Sequence, residues 1–148
     1  MTKAYRYSIV YFIVFSMLLV SSGIMLFEEK IGFEIHNILE YYLGNEEKFM
    51  VQKSYEGILK IVLPHIFAFG LFSMVILHFL VFTKYRDSTH AKSLIYTLFI
   101  SAFLEIFSPF MIIFGAEFFA YIKIVSFVLF EGLVVYISWL LFNSIVNN

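Results

Sequence analysis

Cysteine is absent from the 148 residues, and charge is scarce. Without cysteine there are no disulfides, no thiolate chemistry and no c-type haem attachment. Only 14% of the residues are charged and the net charge is −1, which provides no basic surface for nucleic acid. By contrast, 61% of the residues are hydrophobic and the mean hydropathy is +0.90. This composition excludes an ordinary soluble domain and predicts an integral membrane protein that is embedded in the lipid bilayer.

Four long apolar segments can each cross a bilayer, which requires about 20 residues in a helix. The segments are Ser8–Phe27, Gly57–Thr83, Leu94–Gly115 and Ile122–Asn143. Each must be helical, because a lone strand cannot satisfy its backbone groups in lipid. Short connections make consecutive spans antiparallel neighbours. The predicted fold is therefore an all-α, antiparallel four-transmembrane-helix bundle that occupies residues 1–148 as one domain.

Charge on the connections predicts the orientation. The N-terminal tail contains Lys3 and Arg6 and no acidic residue, and the 84–93 turn has Lys84, Arg86 and Lys92 against Asp87. The 28–56 segment is acidic, with Glu28, Glu29, Glu34, Glu40, Glu46, Glu47 and Glu56 against Lys30, Lys48 and Lys53. Since basic connections stay in the cytoplasm, both chain ends are predicted inside and the acidic segment outside.

The acidic segment also carries an amphipathic pattern. Apolar residues recur in it at helical spacing, namely Ile31, Ile35, Ile38, Leu39 and Tyr42. Glu34 and Glu40 fall on other faces, and Gly44 follows as a C-cap. We expect a short helix within 31–44 that lies on the outer surface of the membrane.

Four ionisable residues lie well inside the spans: His65, His78, Glu105 and Glu131. Such residues are costly in hydrocarbon and are candidates for function. Glu105 and Glu131 are expected near the midplane on consecutive helices, where the two carboxyl groups could meet with one of them protonated. The alternative is that each only holds helices together, since such bonds contribute about 1 kcal/mol.

The two histidines of the second span resemble the haem-bearing helices of b-type cytochromes. His65 and His78 are thirteen residues apart, about 20 Å along a helix, which suits one haem in each leaflet. Thirteen residues leave the side chains about 140° apart around the helix, whereas the cytochrome pattern of fourteen keeps one face. Second axial ligands would come from His36 on the outer side, His90 on the inner side, or another subunit. This interpretation gives His65, His78, His36 and His90 as cofactor-binding residues and b-type haem as the cofactor.

Two other interpretations use the same residues. His65 and His78, with glutamates from other helices, could hold iron, manganese or zinc, although no Glu-x-x-His spacing is present. A proton relay needs only Glu105, Glu131 and a histidine joined by water. Pro64 and Pro109 should kink the second and third spans beside these residues. The sequence leaves the choice between a metal site and a relay open.

A family resemblance rests on three stretches: Leu63-Pro64-His65, then His78 to Thr83, then Leu104 to Ser108. Together they resemble a group of small uncharacterised bacterial four-helix membrane proteins, over about residues 54–140. These proteins have a histidine in the second span and an acidic residue followed by serine in the third. The resemblance implies the bundle fold, the bacterial inner membrane, and His65, His78 and Glu105 as a set, but no activity.

The leading functional hypothesis is therefore a small membrane subunit that binds b-type haem and serves electron transfer. One alternative is a non-enzymatic accessory or assembly subunit of a larger membrane complex. Another is a proton or small-solute pathway formed by a homo-oligomer, because four helices alone enclose little lumen. Whether the protein is an enzyme stays open at this stage.

Overall fold

The computed structural model describes residues 3–83, 85, 86 and 88–147, so Lys84 and Asp87 of the basic turn lie outside it. Over this part of the chain the architecture is helical. The helices are α1 (Lys3–Lys30), α2 (Ile35–Leu43), α3 (Tyr55–Val81), α4 (Thr89–Ile113) and α5 (Phe119–Val146). Four of them are long and apolar enough to span a membrane, and the predicted fold class is confirmed.

All four long helices start before the predicted apolar segments, because backbone hydrogen bonding begins at a cap and not at the edge of the hydrocarbon core. Helices α1 and α5 also end later than predicted, whereas α3 and α4 each end two residues earlier. Ser54 caps α3, its hydroxyl accepting from the Gly57 N–H at 3.1 Å. Ser88 caps α4 in the same way, accepting from the Ala91 N–H at 3.0 Å. The bundle therefore has serine caps at the start of both central antiparallel spans.

Four spans place the start of α1 and the end of α5 on one side of the bundle. We call that side the terminal face; it also carries the turn between α3 and α4. The opposite side, which we call the α2 face, carries α2 and the turn between α4 and α5. The sequence prediction called this second side the outer one.

The core consists of two clusters, one in each half of the bundle. The terminal half is centred on fully buried residues such as Leu98 and Ile137. At the α2 face, α2 inserts Ile38 and Tyr42 between the ends of the spans, where Ile112 is also fully buried. The predicted amphipathic helix is thus present, and its apolar side closes one end of the bundle.

Aromatic rings join α1 to α3 in the terminal half. Phe12 of α1 stacks on Phe72 at 5.4 Å between ring centroids and contacts Phe79 at 5.1 Å. One heptad earlier in α1, Tyr5 meets Phe79 and Phe82 edge-on. These offset and edge-to-face pairs are favourable and join α1 to the second span through long side chains. The main neighbour of α1 is nevertheless α5, where Phe27 stacks on Phe127 at 4.2 Å, so the first two spans are not the close neighbours that the sequence predicted.

Candidate functional site

The most polar contact inside the bundle joins α4 to α5. Glu105 and Lys123 are each only 6% exposed, and the Lys123 ammonium forms an ion pair with the Glu105 carboxylate. Glu105 lies about two turns before the end of α4, and Lys123 about one turn after the start of α5. A charge at this depth is tolerated when its partner is close, so each residue explains the presence of the other.

Pro109 determines how the lysine is held. A proline has no N–H, so the carbonyl four residues earlier in the helix, that of Glu105, loses its helical donor. The Lys123 ammonium donates to this carbonyl oxygen at 3.1 Å. One lysine therefore satisfies both the main chain and the side chain of Glu105, at the site where the sequence predicted a kink.

A small cavity of about 20 Å³ adjoins the pair. Its lining comes from α3, α4 and α5: Ile61, Val62, His65, Phe69, Glu105, Ile106, Pro109 and Lys123. This volume is close to that of a single water molecule's site. Three titratable side chains from three helices thus meet at one point, and we call His65, Glu105 and Lys123 the polar centre.

His65 has a fixed ring orientation at the edge of this cavity. Its Nδ1 lies 2.6 Å from the Ile61 carbonyl oxygen, and its ring meets Phe69 edge-on at 5.6 Å. A carbonyl can only accept, so Nδ1 carries the hydrogen and donates. In the neutral ring Nε2 is therefore an acceptor, and since His65 is an exposed residue of α3 it also reaches the bundle surface.

Helix α2 covers the polar centre at the α2 face. Tyr42 is 1% exposed and packs among the ends of the spans. Burial raises the pKa of its hydroxyl, and the nearby Glu105 carboxylate raises it further. Tyr42 is accordingly neutral, and it shields the ion pair from the aqueous phase.

Glu131 does not join this centre through Glu105. The expected meeting of the two glutamates is corrected, because Glu105 pairs with Lys123 instead. Glu131 is half-buried and lies against α1, where a Cβ added to Gly23 would come within 3.0 Å of its Oε1. The physical reason is that a cation one turn into α5 neutralises Glu105 better than a second carboxyl group can.

The other histidines lie apart from the polar centre. His36 on α2 is 3.0 Å from the Glu40 carboxylate through Nε2. His90 on α4 is 3.0 Å from the Tyr136 hydroxyl. His78 is exposed, near the terminal end of α3.

These positions bear on the predicted haem and metal ligands. His65 and His78 are separated by thirteen residues of one helix, about 20 Å, so they cannot share an ion. Within the described ranges, no group of three or more His, Asp or Glu side chains is placed to hold a metal. Haem ligation by His65, His78, His36 and His90 stays a prediction.

A second charged cluster fixes α2 to the loop that follows it. The Glu40 carboxylate accepts from the Lys48 ammonium at 2.6 Å and from the Asn45 side-chain amide, and it also meets His36. The hydrogen bond from Lys48, followed by that from Asn45, holds the pKa of Glu40 below its usual value. Glu40 therefore stays ionised at neutral pH and keeps the loop attached.

Sequence reasoning missed Lys123. It falls one position inside the predicted fourth span, where a lysine is ordinarily taken to extend to the membrane surface. A signal was present, because Pro109 predicts a free carbonyl at Glu105, close in depth to the start of the next helix. A lysine one turn into that helix is within reach of this carbonyl.

Fold and polar centre together define a small multi-pass integral membrane protein with a buried ion pair. The chain belongs to the family described as a transmembrane helical domain, whose model matches residues 32–148. The match includes α2 to α5 and so contains the whole polar centre. No curated protein and no solved structure matched the chain. The resemblance to small membrane proteins seen in the sequence is confirmed.

Proposed function

We propose that the protein binds and transfers protons inside the bilayer through the polar centre. The observation that carries this proposal is the convergence of His65, Glu105 and Lys123 on one water-sized cavity. Ionisable residues within a span are functional candidates by default, and relays of carboxyl and imidazole groups are a common use of them. The three residues of the polar centre come from three different helices, and a single polar residue placed by chance would not produce this arrangement.

The ion pair can change its protonation without changing its net charge. Moving one proton from the Lys123 ammonium to the Glu105 carboxylate turns two charges into two neutral groups. A further proton on the neutral pair, or on Nε2 of His65, adds a single positive charge. One water between His65 and the pair is sufficient for proton exchange over the width of the cavity.

Proteoliposomes test this proposal. A pH-sensitive dye inside the vesicles reports proton entry driven by a potassium diffusion potential. We expect faster entry than in protein-free vesicles, and at least a tenfold loss in the E105Q/K123M variant, which keeps the centre uncharged. Met74→Ala, at an exposed position on the same helix as His65 but outside the centre, is the control with wild-type flux. Wild-type rates equal to those of empty vesicles would refute proton transfer.

Haem binding is a second candidate, supported by the geometry of His65. Its Nδ1 is already held by the Ile61 carbonyl, which is how proteins orient a ligating imidazole and leave Nε2 for the metal. Both His65 and His78 are exposed on α3, so each haem would lie against a neighbouring subunit, as in an electron-transfer complex. The absorption spectrum of the purified protein tests this, with His65→Ala and His78→Ala each expected to remove one haem. A spectrum without a Soret band would exclude it.

We also propose that the terminal face is cytoplasmic in a bacterial inner membrane. Basic residues of the terminal face, Lys3, Arg6, Arg86 and Lys92, support this orientation, since such residues are retained on the inner side. The α2 face with its acidic residues would then be outside.

A further inference from the structure

The loop between α2 and α3 contains a tight turn that is closed at both ends. Asn45 and Met50 exchange two backbone hydrogen bonds of 2.9 Å, and we call residues 45–50 the closed turn. Inside it, the Asn45 side chain accepts from the backbone N–H of Glu47 at 2.9 Å. Gly44 precedes the turn with a φ of +85°, and a Cβ there would come within 2.5 Å of the Met50 carbonyl oxygen. These contacts give the closed turn one compact shape.

The closed turn presents a large apolar side chain to its surroundings. Phe49 is 94% exposed, and the nearby Val51 is 87% exposed. The backbone of Phe49 has a φ of +54°, a left-handed conformation that residues with a bulky side chain rarely adopt. Strain of this kind persists only where the surrounding structure enforces it, and it is found most often at functional sites. The turn therefore holds Phe49 outward at a cost in backbone conformation.

Two helices fix the closed turn to the bundle. The Lys48 ammonium donates to the Glu40 carboxylate of α2 at 2.6 Å, and the Asn45 amide donates to the same carboxylate. Directly after the turn, the Gln52 amide donates to the carbonyl of Ile113, the last residue of α4, at 3.1 Å. The closed turn is thus held at a fixed height relative to the end of a spanning helix.

This height corresponds to the surface layer of a bilayer. Helix α4 has 25 residues and is therefore about 38 Å long. A bilayer is about 30 Å thick in its hydrocarbon core and about 40–45 Å thick with both headgroup layers. The two ends of α4 consequently lie in the headgroup layers. Gln52, which is bonded to the end of α4, lies at the same level, and the closed turn is adjacent to it.

The apolar surface of the closed turn is continuous with the surface that the spans present to lipid. Tyr55, the first residue of α3, and Phe114, the residue after α4, are 56% and 71% exposed at this end of the bundle. The exposed faces of the spans contact the bilayer in a membrane-embedded protein. Aromatic rings are enriched where such faces meet water. The lipid contact of the spans therefore extends to the base of the closed turn.

We propose that the closed turn is an interfacial anchor, in which Phe49 inserts into the headgroup layer at the α2 face. The partner is the lipid surface itself, which takes up apolar side chains between charged ones. Glu46 and Glu47 of the same turn are exposed and remain in the aqueous phase. The anchor is independent of proton transfer, because the polar centre lies inside the bundle.

A single tryptophan at position 49 tests the inference. The chain has one tryptophan, Trp139, so Phe49→Trp combined with Trp139→Phe provides one fluorescent reporter. The sample is the full-length protein in lipid nanodiscs, which leave both faces open to solvent. Brominated lipid should quench this reporter at least threefold more than the matched reporter Glu47→Trp in the same background. Iodide in the water should quench the two in the opposite order.

A nitroxide measurement leaves Phe49 in place. The native chain has no cysteine, so Val51→Cys provides one labelling site. We expect the label to collide more often with oxygen, which dissolves in lipid, than with a water-soluble nickel complex. Phe49→Asp should lower this ratio at least threefold, whereas Phe49→Leu should preserve it. Phe49 is almost fully exposed, so neither substitution removes packing from the bundle.

Two results would overturn the inference. The first is a position-49 reporter that iodide quenches as strongly as the Glu47→Trp reporter and that brominated lipid does not quench. The second is a reporter shielded from both quenchers, because Phe49 would then be covered by a second copy of the chain or by another protein. A collision ratio that Phe49→Asp leaves unchanged would likewise show that Phe49 is not the anchor.

Discussion

Lys123 donates to the main-chain oxygen of Glu105 at 3.1 Å as well as to its carboxylate. The contact joins the two spans that contain most of the buried residues of the bundle. The ammonium also supplies the hydrogen-bond donor that the Glu105 carbonyl lacks because residue 109 is a proline. Lys123 therefore stabilises the helix in addition to any part that it has in proton transfer. Stability measurements can separate the two contributions.

Lys123→Met should destabilise the bundle by about 3–5 kcal/mol, because it leaves a buried carboxylate without its cation. The E105Q/K123M double variant removes both charges and should lose less, about 1–3 kcal/mol for the unsatisfied carbonyl. Unfolding in mixed micelles with increasing SDS measures these differences. A double variant no more stable than Lys123→Met would show that the buried charge is not the cause.

Pro109→Ala should rescue part of this loss. Alanine restores the N–H that a helix offers to the Glu105 carbonyl, which no longer needs the lysine. In the E105Q/K123M background we expect a gain of about 1 kcal/mol, and in the wild type little change, since Lys123 already occupies that oxygen. The same SDS titration gives the coupling, and equal effects in both backgrounds would contradict the proposed repair.

The attachment of α2 to its loop should depend on pH through Glu40. Its pKa is lowered by Lys48 and Asn45, so the stabilising contacts persist through neutral pH and below the usual value of 4.5. They are lost as the pH falls through the lowered pKa, because the protonated carboxyl no longer pairs with Lys48. The Lys53 amide is bonded to the Tyr42 carbonyl at 3.0 Å, and its protection factor, the intrinsic exchange rate divided by the observed rate, should then fall. In Glu40→Gln the protection factor of this amide should be low at every pH.

Single cysteines test the proposed orientation. Glu46→Cys on the α2 face and Ser88→Cys on the terminal face should react with an impermeant thiol reagent from opposite sides of intact cells. The native chain has no cysteine, so background labelling is absent. Labelling of Ser88→Cys alone from outside would reverse the orientation.

Hydrophobic length was sufficient to predict the bundle. Each span must be long and apolar enough to cross the membrane, and this property is visible in the sequence of that span alone. The ion pair could not be predicted in this way. It depends on the rotation of α4 relative to α5, which turns Glu105 toward Lys123 and directs Glu131 to Gly23 of α1. The rotation of each helix about its own axis is set by packing. The four spans are apolar on nearly all of their faces, so their sequences do not indicate which face points into the bundle.

The family match begins at residue 32, just after α1. A chain consisting of the matched region alone would cross the bilayer three times, and its two ends would lie on opposite sides. The polar centre would be unaltered, since α3, α4 and α5 supply all of it. Helix α1 adds a fourth crossing, so its start at Lys3 lies on the same side of the bundle as the end of α5 at Val146.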